Sequence, residues 1–356
     1  MVNLRTGETK EHSPDFMAIV QIPHAYPVGC PVVPSKILKF LKEVMSPEYI
    51  ETVLDFMAYC LWRGFPFHRW LLLNGSGRNG KGVTSQLITR LLGSKNVSNE
   101  TLHRILENRY AAANLFGKMA NIDADLSSKG LKETGMLKKL TGGDDIQGEF
   151  KYIHAFHFKN YAKLIFAVNT MPQTPDESDA FFARPLIVNF PNQFIGDKAN
   201  PNLINELSTE SEMSAFLGLL VRRVIYVLEN GISYSDTIEQ NYEKYMRSSN
   251  PIRSFAESAI EKDNDANANI KIDKMYDAYV EFCKYYKLSK ETDFAFSRIF
   301  AKLGFKKKQV RMGRRRPWVW THVKLIDWQN ELEYDDDGDD DGKDEQQEEE
   351  GLRESE

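Results

Sequence analysis

The sequence predicts an α/β protein with a phosphate-binding loop at its centre, an N-terminal helical unit and a C-terminal winged-helix unit. Three observations carry this prediction. Residues 70–93, WLLLNGSGRNGKGVTSQLITRLLG, read as strand, glycine-rich turn and helix. Short apolar runs then alternate with helical stretches, the pattern of a sheet covered by helices. From about residue 250, two amphipathic helices precede a strongly basic hairpin.

The elements follow in order. Between Pro34 and Trp62 the pattern is helical, and Ser46-Pro47-Glu48 supplies an N-cap, a first-turn proline and an acid near the positive helix end. Ile50, Val53, Leu54, Met57 and Leu61 recur at three- and four-residue steps and define one apolar face. Such side chains, at about 1.5–3 kcal/mol each, suffice to dock the helix. Gly64 and Pro66 stop it. Strands are expected at Trp70–Leu73, Met119–Ile122, Leu164–Val168 and Leu186–Val188, with a ligand at the strand ends. Residues 203–230 read as helices closed by Gly231. Ile272, Tyr276, Tyr279, Cys283 and Tyr286 mark a further helix, and a second runs from about Thr292 to Leu303. FKKKQVRMGRRRPWVWTHVKLI then reads as two strands around Met312-Gly313. The expected division is 1–64 helical, 65–200 α/β core, 201–249 helical, 250–330 winged helix and 331–356 acidic tail.

Composition narrows the function classes. With 42% hydrophobic and 27% charged residues the chain suits a globular protein with an ample core. Its most apolar helical stretch, Phe216 to Leu228, is broken by Arg222 and Arg223, so no membrane span is expected. No apolar leader segment follows Met1. Cys30, Cys60 and Cys283 are odd in number and far apart, which argues for a reducing, cytoplasm-like compartment. The seven histidines form no metal motif. Of 46 bases and 51 acids, residues 335–356 hold two and 13; the first 334 residues therefore carry 44 against 38, a surplus of six cations. So acidic a run is expected to stay disordered, aiding solubility or competing for a basic surface.

The loop is the most informative stretch. Gly75, Gly77 and Gly80 let backbone amides converge on phosphates, and Lys81 adds a charge for the β- and γ-phosphates. Ser76, Arg78, Asn79, Gly82 and Val83 complete the expected ATP-binding segment. Val83, Leu87, Ile88 and Leu91 continue as a helix whose positive end meets the anion. The usual pattern has a hydroxyl after its lysine to hold magnesium, yet Gly82 stands there. Thr84 lies about 200° round the helix, and Ser85 returns to nearly the same face but about 4.5 Å deeper. Magnesium is therefore expected to rest on phosphate, water and carboxylates. Asp123 and Asp125, after Met119–Ile122, supply these; strand alternation predicts both on one side, one positioning magnesium and the other polarising water.

In the same order as GSGRNGKGV come NRYAAANLFGKMANIDADL, LKKLTGGDDIQGEFKYIHAFHF, KLIFAVNTMP and FFARPLIVNF. From residue 2 to about 327 this resembles the superfamily III helicases, AAA+ ATPases of the phage/plasmid and poxvirus primase–helicase type. The resemblance implies ATP and Mg2+ as cofactors, Asp125 as the main acid, with Asp123 at a more variable place, and Asn169 as a polar sensor. It also implies that Arg184 is an arginine finger reaching a neighbour's ATP. Relatives usually carry two adjacent arginines there; this chain has Ala183 first. Lys139, Gly142, Gly143 and Asp144 belong to a block ahead of a DNA-facing hairpin, whose Lys151 and Tyr152 would face a central channel. The resemblance further implies a homo-oligomeric ring, expected as a hexamer, moving 3′→5′ on single-stranded DNA in plasmid or viral replication in the host cytoplasm. No polymerase-type carboxylate triad is evident, so a primase module is expected elsewhere on a longer polypeptide or on a separate chain.

Two regions are candidates for DNA. Lys306, Lys307, Lys308, Arg311, Arg314, Arg315 and Arg316 place seven cations within eleven residues, a pattern for backbone contacts with little sequence preference. Trp318 and Trp320 beside them are expected in the core. Along EFKYIHAFHF, Phe150, Tyr152, His154, Phe156 and Phe158 fall on one strand face, most of them core. Two rival readings share the loop: a small-molecule phosphotransferase, and an ATP-regulated origin-binding or loader protein without unwinding activity.

Overall fold

The computed structural model describes residues 1–29, 32–263, 265, 268–311 and 316–328. Cys30, the Met312-Gly313 turn with Arg314 and Arg315, and the acidic tail from 331 to 356 lie outside the described residues.

The N-terminal helices form where the apolar spacing requires them. Helix α1 (Ser35–Val44) buries Ile37, Phe40, Leu41 and Val44. Helix α2 (Ile50–Tyr59) is buried almost all round rather than on one face, and takes Thr52 and Asp55 inside with its apolar side chains. Asp55 is fully buried because Arg223 Nε and the Ser233 amide donate to its two oxygens at 2.5 and 2.8 Å. Ser46 does not cap through its side chain. Its Oγ instead accepts from Lys287 Nζ at 2.9 Å, linking this unit to the C-terminal one.

The core then runs β1 (Trp70–Asn74), α3 (Lys81–Leu92), β2 (Val97–Ser98), α4 (Leu102–Glu107), α5 (Arg109–Ala113), β3 (Ala120–Asp123) and α6 (Gly135–Gly142). It continues through β4 (Asp145–Gly148), β5 (Phe156–Lys159), β6 (Lys163–Val168), α7 (Asp179–Phe182) and β7 (Pro185–Asn189). Five strands make one parallel sheet in the order β2-β3-β6-β1-β7. Both faces are covered, which is why β1 and β6 read as continuous apolar runs. Leu71 and Leu73 join the core shared with α1, α2 and α3, while Trp70 and Leu72 point into the one shared with α4 and α6. The β4–β5 pair is a separate antiparallel hairpin. Only Phe156–Lys159 of the expected aromatic strand is extended in it; Phe150 to His154 form the turn, with Tyr152 at φ +66°.

After the sheet come α8 (Leu203–Leu207), α9 (Glu210–Asn230), α10 (Ile238–Ser249) and α11 (Pro251–Ala259). The C-terminal unit continues with β8 (Ile260–Lys262), β9 (Asn269–Lys271), α12 (Ile272–Tyr285), α13 (Asp293–Lys302), β10 (Lys306–Gln309), β11 (Trp318–Thr321) and β12 (Val323–Leu325). Phe255, Tyr279, Phe282, Phe296, Phe300 and Trp320 fill a third core. The expected basic hairpin is present as β10–β11, enlarged by β9 on the other side of β11, while β12 pairs with β8. Among the described residues no helix is long and apolar enough to cross a membrane. Cys60 and Cys283 are free and buried, and burial pushes their thiols up to about 12 and about 11.

One buried cation ties the helical unit to the sheet. Lys163, at the start of β6, is fully buried, and its ammonium donates to the carbonyls of Trp62 at 2.8 Å and Tyr161 at 2.9 Å. It also lies 4.3 and 4.6 Å from the ring centres of Tyr59 and Phe65. Burial pushes it down to about 7. Below pH 7 both folded and unfolded chains carry this proton, so the cost of burying it is fully present. From there to about pH 10 the unfolded chain holds a proton that the folded one lacks, so stability rises with pH, by a few kcal/mol in total. Urea midpoints are expected to climb between about pH 7 and 9, below the range in which the raised thiols of Cys60 and Cys283 take stability away again, and Lys163→Met should remove most of that climb.

Candidate nucleotide site and nucleic-acid surfaces

The glycine loop leaves β1 at the C-terminal edge of the sheet and is tied to both neighbouring strands. The Gly75 amide donates to the Val168 carbonyl at 3.1 Å, the Phe190 amide to Asn74 at 2.8 Å, and the Phe194 amide to Arg78 at 2.8 Å. Gln193 Nε2 donates to Ser76 Oγ at 3.0 Å. Gly77, Arg78 and Gly80 have φ of +94°, +53° and +91°, which curls the loop so that α3 starts at Lys81. A Cβ on Gly80 would stand 2.6 Å from Val44 Cγ1, whereas one on Gly82 would meet nothing within 4 Å. Gly80→Ala is therefore expected to cost about 1–3 kcal/mol and to weaken nucleotide binding. Gly82→Ala should leave both unchanged or gain up to about 1 kcal/mol of helix propensity. Thermal unfolding with a nucleotide titration of the two variants checks this contrast.

Lys81 and Asn169, 88 residues apart, meet at this edge: Lys81 Nζ donates to Asn169 Oδ1 at 3.0 Å. The ammonium also donates to the Gly75 carbonyl and, at 3.3 Å, to Asn79 Oδ1. Asn79 Nδ2 in turn donates to the Phe190 carbonyl at 3.2 Å, so this side chain holds the lysine against the end of β7. Burial pushes Lys81 down to about 8, opposed by the negative charge of Asp125. A polyphosphate anion placed here would replace carbonyl and amide oxygens as the acceptor of those donors.

The two acids occupy the same sheet edge but not one strand face. Asp123 ends β3, its Oδ1 accepts the Asp125 amide at 3.2 Å, and Asp125 lies in the exposed turn beyond. This side-chain turn competes with the strand and ends it. Asp123 Oδ2 is buried without a hydrogen-bond partner. Burial, reinforced by Asp125's charge, pushes Asp123 above the ordinary carboxylate range. Thr84 spends its hydroxyl on the Gly80 carbonyl at 3.1 Å, while Ser85 Oγ is buried and unpartnered. Among the described residues no group of three or more His, Cys, Asp or Glu side chains is placed to hold a metal. The donor set that is present, two carboxylates beside the glycine loop, fits an ion that keeps several waters, as Mg2+ does.

Arg184 is elsewhere. Its carbonyl accepts the Trp70 amide at 3.1 Å, so it sits at the opposite edge of the sheet from the loop. The five residues of β1 separate the two by roughly 15 Å. Its guanidinium donates to the Ala180 carbonyl and, at 3.3 Å, to Thr141 Oγ1. Burial lowers its pKa, opposed by Asp176 and Asp144. The structure brings Lys81, Asn169, Asp123 and Asp125 to one edge and leaves Arg184 out.

Sequence reasoning missed the wall beside the loop. A cavity of about 880 Å³ opens between α1, the loop and residues 194–207, with Phe40, Val44, Val83, Phe194, Ile195 and Leu203 among its lining. Its lining is largely apolar and lies next to the glycine loop. These side chains come from segments far apart in sequence, so no local motif marks them.

The nucleic-acid candidates are on the surface. Tyr152 is 93% exposed at the β4–β5 turn, with Lys151 Nζ 5.3 Å from its ring centre. Behind it Phe150 and Phe156 stack at 5.3 Å, so part of the aromatic run is packing. Lys306, Lys307, Lys308, Arg311 and Arg316 are all exposed. Trp320 is buried as expected, but Trp318 is 50% exposed.

Residues 73–184 match a family of unknown function, DUF5906, a segment that contains the loop, both acids, Asn169 and Arg184. Over 165 residues, 44% of this chain, the sequence is 25% identical to an Acanthamoeba polyphaga mimivirus protein named "Putative helicase". The match spans 17% of that protein's length. Among solved structures, the C-terminal region of NrS-1 aligns with a TM-score of 0.48 at 13% identity, covering 86% of this chain and 78% of that one. JCV helicase aligns with a TM-score of 0.30 at 15% identity, covering 77% and 65%.

Proposed function

We propose that this chain is an ATP-driven DNA helicase motor of the superfamily III type, working as a ring on single-stranded DNA in plasmid or viral replication. The observation that carries this reading is the direct hydrogen bond from Lys81 to Asn169, which joins the phosphate loop to the end of β6. Lys81 and the α3 amides would hold the β- and γ-phosphates. Asn169, relieved of the lysine, is then free to bond the γ-phosphate and the attacking water. Hydrolysis removes that acceptor and returns the lysine to its protein partners, a change that β6 can pass to the rest of the sheet. Asp125 and Asp123 would hold Mg2+ and polarise water; the bound ion would neutralise charge on the phosphates. The cavity beside the loop would take the adenine.

In this reading residues 65–200 form an AAA+ core, residues 1–64 and 201–249 brace it, and residues 250–330 form a winged helix. Lys151 and Tyr152 would grip a strand within the ring while Lys306–Lys308, Arg311 and Arg314–Arg316 hold phosphates outside it. Arg184 would act on the neighbouring subunit's nucleotide, and the ring would be a hexamer. A primase module on the same or another chain would complete the machine in the cytoplasm of the host. A fork-unwinding assay with ATP and Mg2+ tests the proposal: separated strands are expected. DNA-stimulated hydrolysis without separation would select the loader reading, and turnover indifferent to DNA the phosphotransferase reading.

A further inference from the structure

We infer that Trp318 is a stacking platform for an unpaired nucleotide, so that the β10–β11 hairpin takes single-stranded polynucleotide in preference to duplex. This rests on the reading that the hairpin contacts nucleic acid and specifies which form it takes. Pairing sets Trp318 opposite Gln309 and Trp320 opposite Lys307. Side chains two residues apart share a face, so both indoles and Lys307 line the same side of the hairpin. Lys307 Nζ lies 5.9 Å from each ring centre.

The two indoles nevertheless differ. Trp320 is fully buried and packs edge-on against Phe300 at 4.8 Å. Strand β9 pairs with β11 only from Val319 onward, and Trp318 lies beyond that pairing with half of its surface in water. All four residues of β10 are exposed, and its three lysines have no carboxylate partner among the described residues. Lysines on an edge strand can simply block aggregation. That role gives no reason to keep a large apolar ring in water beside Lys307. Lys307 on the indole's own face, with Lys306 and Lys308 on the opposite face of the same strand, supplies phosphate attraction without regard to sequence, and the indole face supplies stacking to any base. Inside a duplex the base faces are covered by their neighbours, so stacking rewards only unpaired nucleotides.

The test measures binding of the full chain to labelled oligothymidine and oligouridine of about 20 nucleotides and to a duplex of equal length, across a salt series. Trp318→Leu is expected to weaken single-strand binding about 5- to 100-fold with an unchanged salt slope, and to alter duplex binding less than about twofold. Trp318→Phe should keep most of the affinity, since it keeps a π-face. An unfolding midpoint equal to that of the parent protein separates lost stacking from lost fold. Loss on both oligonucleotides marks stacking blind to the sugar; loss on one names the polymer. The Lys307→Ala, Lys308→Ala double variant should weaken every substrate and flatten the salt slope. If the double variant binds like the parent, the nucleic-acid reading of the hairpin fails. If it weakens binding while Trp318→Leu does not, or if Trp318→Leu loses duplex equally, the stacking inference alone is overturned.

Discussion

Lys81→Ala is expected to lower ATP hydrolysis about 10²–10³-fold while leaving oligonucleotide affinity within about twofold. The lysine is the one cation that the loop holds inward, with its ammonium on Gly75, Asn79 and Asn169. Removing it takes away the buried donor that a bound polyphosphate would meet, yet it touches neither basic surface. Because Lys81 is pushed down to about 8 in the free protein, affinity for nucleotide should also depend on pH. A bound polyphosphate favours the charged lysine, so binding is constant below pH 8 and weakens as pH rises through it. Steady-state hydrolysis and a nucleotide titration from neutral to alkaline pH check both halves. Equal hydrolysis by variant and parent would remove Lys81 from the mechanism.

Arg184→Ala is expected to cut hydrolysis about 10³–10⁵-fold and to spare nucleotide binding, if the arginine acts across a subunit boundary. Within one chain it cannot reach its own loop, since the length of β1 lies between them. Its contacts with Ala180 and Thr141 hold it at the far edge of the sheet, the place from which it would have to face a neighbour. The discriminating measurement mixes Arg184→Ala with Lys81→Ala subunits. Some mixed interfaces then pair an intact loop with an intact arginine, and partial activity should return. No recovery at any ratio, with oligomers intact, would contradict a shared site.

Much of the core was legible because it is local. A parallel strand buried on both faces must be a continuous apolar run, and Leu71–Leu73 and Leu164–Val168 are such runs. The lysine and its loop were equally plain, since glycine spacing dictates the turn. What local pattern could not show is what tertiary pairing decides. Val97–Ser98 is too short for any periodicity, yet it pairs with β3 as the sheet edge. Alternation placed Asp123 and Asp125 on one strand face, but Asp123's own side chain ends the strand first. The run from Phe150 to Phe158 alternates as a strand would, yet its first half is a turn. Trp318 and Trp320 are the same residue type two positions apart, and only the reach of β9 separates a core indole from an exposed one.

The central claim is that nucleotide cleavage at the Lys81 loop is coupled to a polynucleotide held by the same assembly. The most direct measurement is the steady-state ATPase rate of the parent protein with and without single-stranded DNA, in the presence of Mg2+. The account predicts hydrolysis that rises on adding the strand and falls about 10²–10³-fold in Lys81→Ala. A rate unchanged by DNA, or no hydrolysis in either condition, would contradict it.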